Sequence, residues 1–561
     1  MSLLLILTIT LPLLGAGGTL GLSLVPRVRP YSRYVALTAA VVTTILLLAS
    51  RWMEPVVAVP SLWQPSLLFG ATLTLQVDAA TQPLTFALAL VTCAAILVEL
   101  ACVKQKPRPQ LVAALLALLP AGLMVFWSAN ILTLVISWAI YDLIQAIAHS
   151  AADGSARTAI RDLILGNLAT LFLWVGALLS GGGADSEPWS LLTLSGVQLT
   201  LWIVAGILRL GIYPFHLPSP HDLVSASPFA APLLLGPILG WGLWLRLITA
   251  HGGLFPGGTW VLTLAAVTMV LGGLLAWSCE SPRRTLTWIG MGANGAVLLA
   301  AGVAGENGAV VIAAGSVAWV LGMTLLFLTG GLSDDRQQKA FWYHIPSLVG
   351  ALALLGVPFT LGFVTEATLL GGIAQEGHVE WGNPVVWGTI FGNLFLVPSL
   401  VRWLLPSSNQ RTSLQVDQPI TAPTLRGPLV ARAIGLGSPA LLLIVAGLYP
   451  PLLIVTDGDP VPSLVSLFTM PGSVGWLAWV LSLACGGLLA WQGDFLRSKI
   501  ALLLNTTHDL LRLEWLYDAL SGALDRGLGV FRVADEIVGG AGAMLWSWLL
   551  FLLFLLMWGG L

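Results

Sequence analysis

Charge is what this sequence has least of. Only 9% of its 561 residues are Asp, Glu, Lys or Arg, against roughly 25% in a soluble chain. With 57% of the residues hydrophobic, the composition excludes a water-soluble globule and indicates an all-α polytopic membrane protein. The formal net charge is -2, so there is no basic excess and no electrostatic footprint for nucleic acid. Cysteine is nearly absent. Cys93, Cys102, Cys279 and Cys485 stand singly in apolar surroundings, and without a CxxC spacing neither an iron–sulfur cluster nor a zinc site is expected. No phosphate-cradling glycine loop or dinucleotide fingerprint follows a strand. No cofactor, metal or catalytic centre is therefore expected in this chain, and coupled redox chemistry would lie on other subunits. The first apolar run, Leu3 to Val25, lacks a basic leader and a small-residue cleavage site and reads as a spanning helix.

Long apolar runs are what the sequence has in abundance. About sixteen are long enough to span a bilayer, at ~20 residues each. They lie near 2–25, 34–50, 82–102, 111–128, 130–150, 159–180, 196–212, 226–249, 259–277, 285–303, 308–330, 345–368, 384–404, 429–454, 474–491 and 541–559. The first, third, fifth, ninth, eleventh and thirteenth connections are basic, with Arg27, Arg29 and Arg33 in the first, Lys104, Lys106 and Arg108 in the third, and Arg283 and Arg284 in the ninth. The alternate connections are acidic or neutral. Basic connections stay cytoplasmic, so both termini are expected on the extracytoplasmic side of a prokaryotic cell membrane. The connection after Trp491 differs. Leu510, Leu511, Leu513, Leu516, Leu520 and Leu524 interleave with charged residues, the pattern of an amphipathic helix lying laterally along the membrane or along neighbouring helices.

Two spans are interrupted. The seventh reads Leu208-Arg209-Leu210-Gly211-Ile212-Tyr213-Pro214-Phe215-His216-Leu217-Pro218, and the twelfth reads Leu355-Gly356-Val357-Pro358-Phe359-Thr360-Leu361-Gly362-Phe363-Val364-Thr365-Glu366. Proline removes a backbone donor and clashes with the preceding turn. Broken backbone at membrane depth is tolerated only where protein or a water-filled cavity covers it, and an ionisable residue there points to an ion path. Arg209 has a second reading, as an anchor snorkelling to the interface. The breaks are five spans apart. Because five is odd, a five-span unit repeated once is inverted in the membrane, and paired broken helices in inverted repeats mark ion sites in transporters. The organisation expected is an N-terminal three-helix segment (1–110), a first repeat (111–250), a second repeat (251–404), two further helices (405–491), the lateral helix (492–540) and a terminal span (541–561).

With these features the chain resembles the antiporter-like membrane subunits of respiratory complex I (NADH-quinone oxidoreductase), Mrp-type antiporters and membrane-bound hydrogenases. The likeness covers most of the chain. It rests on the charged, broken seventh span ending Pro214-Phe215-His216, the twelfth with Gly362-Phe363-Val364-Thr365-Glu366, the basic turn Ser281-Pro282-Arg283-Arg284, and Glu514-Trp515-Leu516-Tyr517-Asp518 in the lateral helix. The resemblance implies a proton- or cation-translocating subunit of a multi-subunit translocase. Its two half-channels would be joined by buried lysine, glutamate and histidine residues. The sequence departs from that pattern. Where the family has a glutamate in the fifth span, this chain has Ala139 after Trp138, and the seventh-span lysine becomes Arg209. The eighth-span histidine position holds Leu234. The eleventh-span shuttle positions hold Trp319 and Met323, Asn294 is the polar residue of the tenth, and Glu366 is retained in the twelfth.

What remains on the proton path is Asp142, His149, Arg209, His216, Asn294 and Glu366. Asp142, Gln145 and His149 share one face of the fifth span. Asp142 and Arg209 lie after similar rises from the outer ends of their spans, on the order of 20 Å at ~1.5 Å per residue. They are read as an ion pair, the other reading being an Asp142 capped by local hydroxyls. His216 and His221 are read either as the inner mouth or as surface-loop histidines. Buried lysine can release a proton, whereas arginine effectively cannot, so Arg209 is a poor shuttle. Three functions stay open: an ion-translocating subunit of a redox or inorganic-carbon-uptake complex, with a partly degenerate path; a non-pumping structural subunit of the same ancestry; and a stand-alone cation/proton antiporter. The first two require partner membrane subunits. All three have lipid, and the first and third protons or sodium ions, as surroundings.

Overall fold

The structure is a computed structural model. It describes residues 2–51, 57–58, 72–101, 108–153, 156–179, 189, 194, 196–216, 236–279, 282–330, 344–374, 382–405, 426–454, 461–517, 519, 522–523 and 526. The described chain is helical apart from one short antiparallel pair, β1 (Val57–Ala58) and β2 (Leu75–Gln76). The helices are α1 (Ser2–Leu24), α2 (Ser32–Ser50), α3 (Gln82–Ala101), α4 (Pro109–Phe126), α5 (Ile131–Asp153), α6 (Ala156–Leu178), α7 (Gly196–Leu210), α8 (Ile238–Ala250), α9 (Thr259–Ser278), α10 (Pro282–Val303), α11 (Gly308–Gly330), α12 (Ile345–Leu354), α13 (Phe363–Ala374), α14 (Pro384–Leu404), α15 (Arg426–Leu448), α16 (Leu464–Thr469), α17 (Gly472–Trp491), α18 (Gly493–Lys499) and α19 (Ala501–Leu511). Eleven described helices are long and apolar enough to cross a membrane, and five shorter apolar helices lie among them. A helix occupies each expected apolar run except 541–559, which lies outside the described residues.

The first compact unit, Met1–Leu496, is built around α11. This helix is apolar all round and buried from Val310 to Leu328, as a helix enclosed by others must be. It packs against α3, α8, α10, α12, α13 and α15. Beside it α9 and α10 meet backbone to backbone. A methyl group on Gly272 would collide with the Gly292 backbone, and one on Gly295 would reach Ala265 O and Met269 N at 2.7 Å. On the end where α4 gives way to α5, the segment 72–78 is stitched across the turn. Gln76 N–H donates to Trp127 O (2.6 Å) and Ala129 N–H to Thr74 O (3.0 Å). Arg246 of α8 fastens this strap, with Nη1 on Asp78 Oδ2 at 2.6 Å and Nη2 on Phe126 O at 2.7 Å.

The breaks themselves are set by glycine. Pro12, Pro120, Pro398 and Pro439 all sit inside continuous helices, so proline alone does not end a span here. At the end of α7, Gly211 takes φ 67°, Gly211 N–H donates to Leu208 O and Ile212 N–H to Ile207 O, both at 3.2 Å. At the end of α12, Gly356 takes φ 63°, Gly356 N–H donates to Ala353 O (3.2 Å) and Val357 N–H to Leu352 O (3.0 Å). This double hydrogen bond over a left-handed glycine is the Schellman cap. After the second break the chain resumes as α13, which runs to Ala374, beyond the expected limit of 368. The residues after the first break, 217–235, lie outside the described residues, together with His221 and Leu234.

The second unit, Arg497–Leu561, departs from the expected single lateral helix. In the described residues of 492–540 the helix is interrupted at Ile500 (φ −112°, ψ 20°), resumes as α19, and ends before Leu513, whose φ is 58°. Arg512 pairs with Glu514 across that corner. Trp515 Nε1 donates to Leu510 O at 3.1 Å, so local polar pairing completes the turn that helical periodicity alone would have carried through.

Candidate ion-translocation site

α5 and α7 bring Asp142 and Arg209 together. Arg209 Nη2 lies 2.5 Å from Asp142 Oδ1, with the two side chains 7% and 3% exposed. The guanidinium also lies over Trp138 (5.2 Å) and Tyr141 (5.8 Å), a cation–π setting that favours a fixed charge. Because α7 stops at Leu210, Arg209 occupies the last turn of a half-helix, where exposed carbonyls favour a cation. Gly166 of α6 closes the third side. A methyl group there would lie 2.5 Å from Asp142 Oδ2 and 2.9 Å from Arg209 Nη1, so the pair fits only against a bare backbone. The snorkelling and hydroxyl-capped readings of these two residues do not match this geometry.

Along α5, Gln145 is half-buried and His149 is buried, with Leu143 and Ile147 turned outward. His216 is buried rather than a surface-loop residue, at 1% exposed. Its ring stacks on Tyr213 (5.4 Å), lies 5.1 Å from Trp288, and places Nδ1 3.1 Å from Pro214 O. The Tyr213–Pro214 peptide is cis. Asn294 of α10 donates from Nδ2 to Leu210 O at 3.0 Å, satisfying a carbonyl freed by the break. Thr268 of α9 accepts the Tyr213 N–H at 3.1 Å.

Glu366 stands in the first turn of α13, the helix end whose dipole favours an anion. It is 4% exposed, and its Oε1 accepts from Asn393 Nδ2 of α14 at 2.6 Å. Among the described residues no cation pairs with it. Arg33 faces Glu99 at 3.9 Å, Arg209 faces Asp142, and Arg246 faces Asp78. A cavity of about 30 Å³ adjoins Glu366, lined also by Thr365, Asn393, Gly356, Ala293 and Trp319. That is room for two or three waters, at ~10–15 Å³ each by this measure. Thr365 Oγ1 is buried on this lining without a hydrogen-bond partner among the described residues, which gives the space a polar edge. Gly356 permits the geometry twice over, by its positive φ and because a methyl group there would collide with the Glu366 side chain.

The eleventh-span departures are visible as contacts. Trp319 Nε1 donates to Gly290 O at 2.9 Å, and Met323 reaches over the same glycine. Neither can carry a proton. Of the residues singled out from sequence, the structure joins Asp142 to Arg209 and Asn294 to the seventh-span break, and sets Glu366 beside a cavity. It adds Asn393, Gly166, Thr268 and the Arg246–Asp78 pair. Asn393 and Arg246 were visible as lone polar residues within apolar runs. Gly166 and Thr268 have no such signal.

No protein-family model matches the chain. By sequence it is 27% identical over 335 residues to NADH-quinone oxidoreductase subunit N of Mycobacterium sp. (strain JLS), covering 54% of this chain and 69% of the relative. It is 24% identical to the subunit N of Nitrosomonas europaea, over 59% of this chain and 73% of the relative. To NAD(P)H-quinone oxidoreductase chain 4 3 of Picosynechococcus sp. it is 27% identical, over 56% and 62%. By fold it is similar to a chain of the Mrp complex from Dietzia sp. DQ12-45-1b, with TM-score 0.76, 18% identity, and coverage of 99% of this chain and 62% of that one. A chain of the membrane-bound sulfane sulfur reductase, an archaeal respiratory membrane complex, gives TM-score 0.70, 16% identity and 99% coverage of both. One of respiratory complex I from Thermus thermophilus gives 0.58, 19%, 80% and 98%. The chain is a homologue of the subunit N and chain 4 proteins of the NADH- and NAD(P)H-quinone oxidoreductases, with a polytopic fold found also in the Mrp and sulfane sulfur reductase complexes.

Proposed function

We propose that this chain is a cation-translocating, antiporter-like membrane subunit of a multi-subunit assembly, and that Glu366 is the carboxylate that takes up and releases the ion, a proton. It would sit in a prokaryotic cell membrane through about sixteen spans, with two inverted five-span units and both termini extracytoplasmic, as the alternating connection charge supports. The assemblies that hold its relatives and structural neighbours support partner membrane subunits. One observation carries the reading. Glu366 is buried at a half-helix end, hydrogen-bonded by Asn393 and open to a water-sized cavity, with no cation beside it among the described residues. A carboxylate so placed must be neutralised by a proton or another bound cation. Asp142 and Arg209 neutralise each other, and an arginine is a poor proton shuttle, so this pair acts as a fixed dipole at the first break. Reconstituted with its partner subunits, the wild-type protein will carry a pH-gradient-driven proton flux that Glu366→Gln abolishes without loss of assembly. Equal flux in the two would reject the proposal.

A second reading has its own observation. The contact of Trp319 and Met323 with Gly290 puts non-titrating side chains where a continuous path would need shuttles, which favours a structural subunit that conducts nothing. Flux at background in the wild-type assembly would select that reading.

A further inference from the structure

The two breaks are joined through one helix pair. Thr268 and Met269 are neighbours on α9. Thr268 Oγ1 donates to Leu264 O at 2.6 Å and accepts the Tyr213 N–H at 3.1 Å. Its hydrogen is committed to its own helix, so toward the first break it is an acceptor only. Met269 lines the Glu366 cavity. On α10 the same division recurs. Asn294 holds Leu210 O, while Ala293, Ala296 and Val297 line the cavity. The pair cannot shear easily, because Gly272, Gly292 and Gly295 put the two backbones in direct contact. α9 also bears on α14. A methyl group on Gly273 would lie 3.1 Å from Gly392 O and 3.1 Å from Leu396 N, which flank Asn393, the donor to Glu366. Packed interiors pass displacement on rather than absorb it.

We propose that α9 and α10 form a rigid lever between the two interruptions, and that Thr268 and Asn294 are its positioning residues. They grip the freed backbone groups of Tyr213 and Leu210, so a change of shape at the first break moves α14 and resets the Asn393–Glu366 hydrogen bond. The lever lets the first break govern the second without any proton passing between them. It rests on Glu366 being the ion-carrying group, and its test reads that residue independently of transport.

The probe is dicyclohexylcarbodiimide, an apolar reagent that modifies buried protonated carboxyl groups. It is applied to the full assembly in membranes, and the modified peptide is identified by mass. Glu366→Gln defines zero labelling. Thr268→Val, which keeps the shape but loses the acceptor, will change the Glu366 labelling rate by roughly 2- to 30-fold, the span of coupling such networks carry. Thr268→Ser, which keeps the hydroxyl, will label as the wild type does. Asn294→Leu applies the same test at the other grip, should Thr268→Val fail to assemble. Labelling unchanged in the assembled variant, or changed equally by Thr268→Val and Thr268→Ser, would overturn the lever. Absent flux with hydroxyl-dependent labelling would instead overturn Glu366 transport and leave the lever standing.

Discussion

Gly211 and Gly356 turn the same corner. Their φ angles are 67° and 63°, each closes its helix with the same two hydrogen bonds, and each is followed within three residues by a proline. One corner leaves Arg209 at the C-terminal end of a half-helix. The other leaves Glu366 at the start of the half-helix that follows. Opposite charges therefore sit at opposite helix ends, each where the backbone dipole favours it.

Substituting either corner tests this geometry. A left-handed conformation costs a non-glycine residue roughly 1–2 kcal/mol. Gly211→Ala should lower the thermal stability of the purified assembly by about that much. Gly356→Ala should lower it further, because its methyl group also meets the Glu366 side chain. Equal melting temperatures for wild type and Gly356→Ala would contradict the corner as drawn.

Arg209→Ala strands Asp142 in a dry interior. Breaking a buried pair from one side costs about 3–5 kcal/mol, so this variant should be recovered poorly by size-exclusion chromatography. The double variant Asp142→Asn with Arg209→Gln removes both charges and should recover most of the yield. A single variant that assembles as well as the double one would exclude a buried ion pair.

Gly166→Ala forces a methyl group between α6 and the same pair. Overpacking costs roughly 1–3 kcal/mol, and here part of it is strain on the ion pair itself. In the Asp142→Asn, Arg209→Gln background the penalty should therefore shrink. Thermal unfolding of the four proteins gives the coupling, and additive effects would place Gly166 away from the pair.

Arg246→Met removes the clamp on the 72–78 strap. The Phe126 carbonyl loses the Arg246 donor, at roughly 1–3 kcal/mol for a buried acceptor left unsatisfied, while the half-buried Asp78 loses its ion pair but keeps the Ala80 N–H. Limited proteolysis should cut near residue 78 sooner than in the wild type, with α9 to α14 equally protected. An unchanged cleavage pattern would show that the strap holds without Arg246.

Much of this was legible in the chain before it folded. Asp142 and Arg209 could be matched because each is a lone charge in an apolar span, at a depth that counting residues gives. The breaks could be located, but their cause could not be weighed. Pro398 and Pro439 lie in unbroken helices while Pro214 and Pro358 follow breaks, and the difference is a left-handed glycine whose conformation depends on the helix end it caps. Gly166 and Thr268 act through helices distant in sequence, so only packing reveals them. The lateral helix was overdrawn because leucine periodicity is indifferent to the corner at Leu513, which the Arg512–Glu514 pair completes.

The division of labour between the two charged centres is tested most directly by proton flux in vesicles holding equal amounts of assembled protein. Three forms are compared: wild type, Glu366→Gln, and the Asp142→Asn, Arg209→Gln double variant. The proposed roles predict background flux from Glu366→Gln and measurable, reduced flux from the double variant, because a fixed dipole tunes the path but carries nothing. Sustained flux from Glu366→Gln, with the double variant silent, would reverse the assignment.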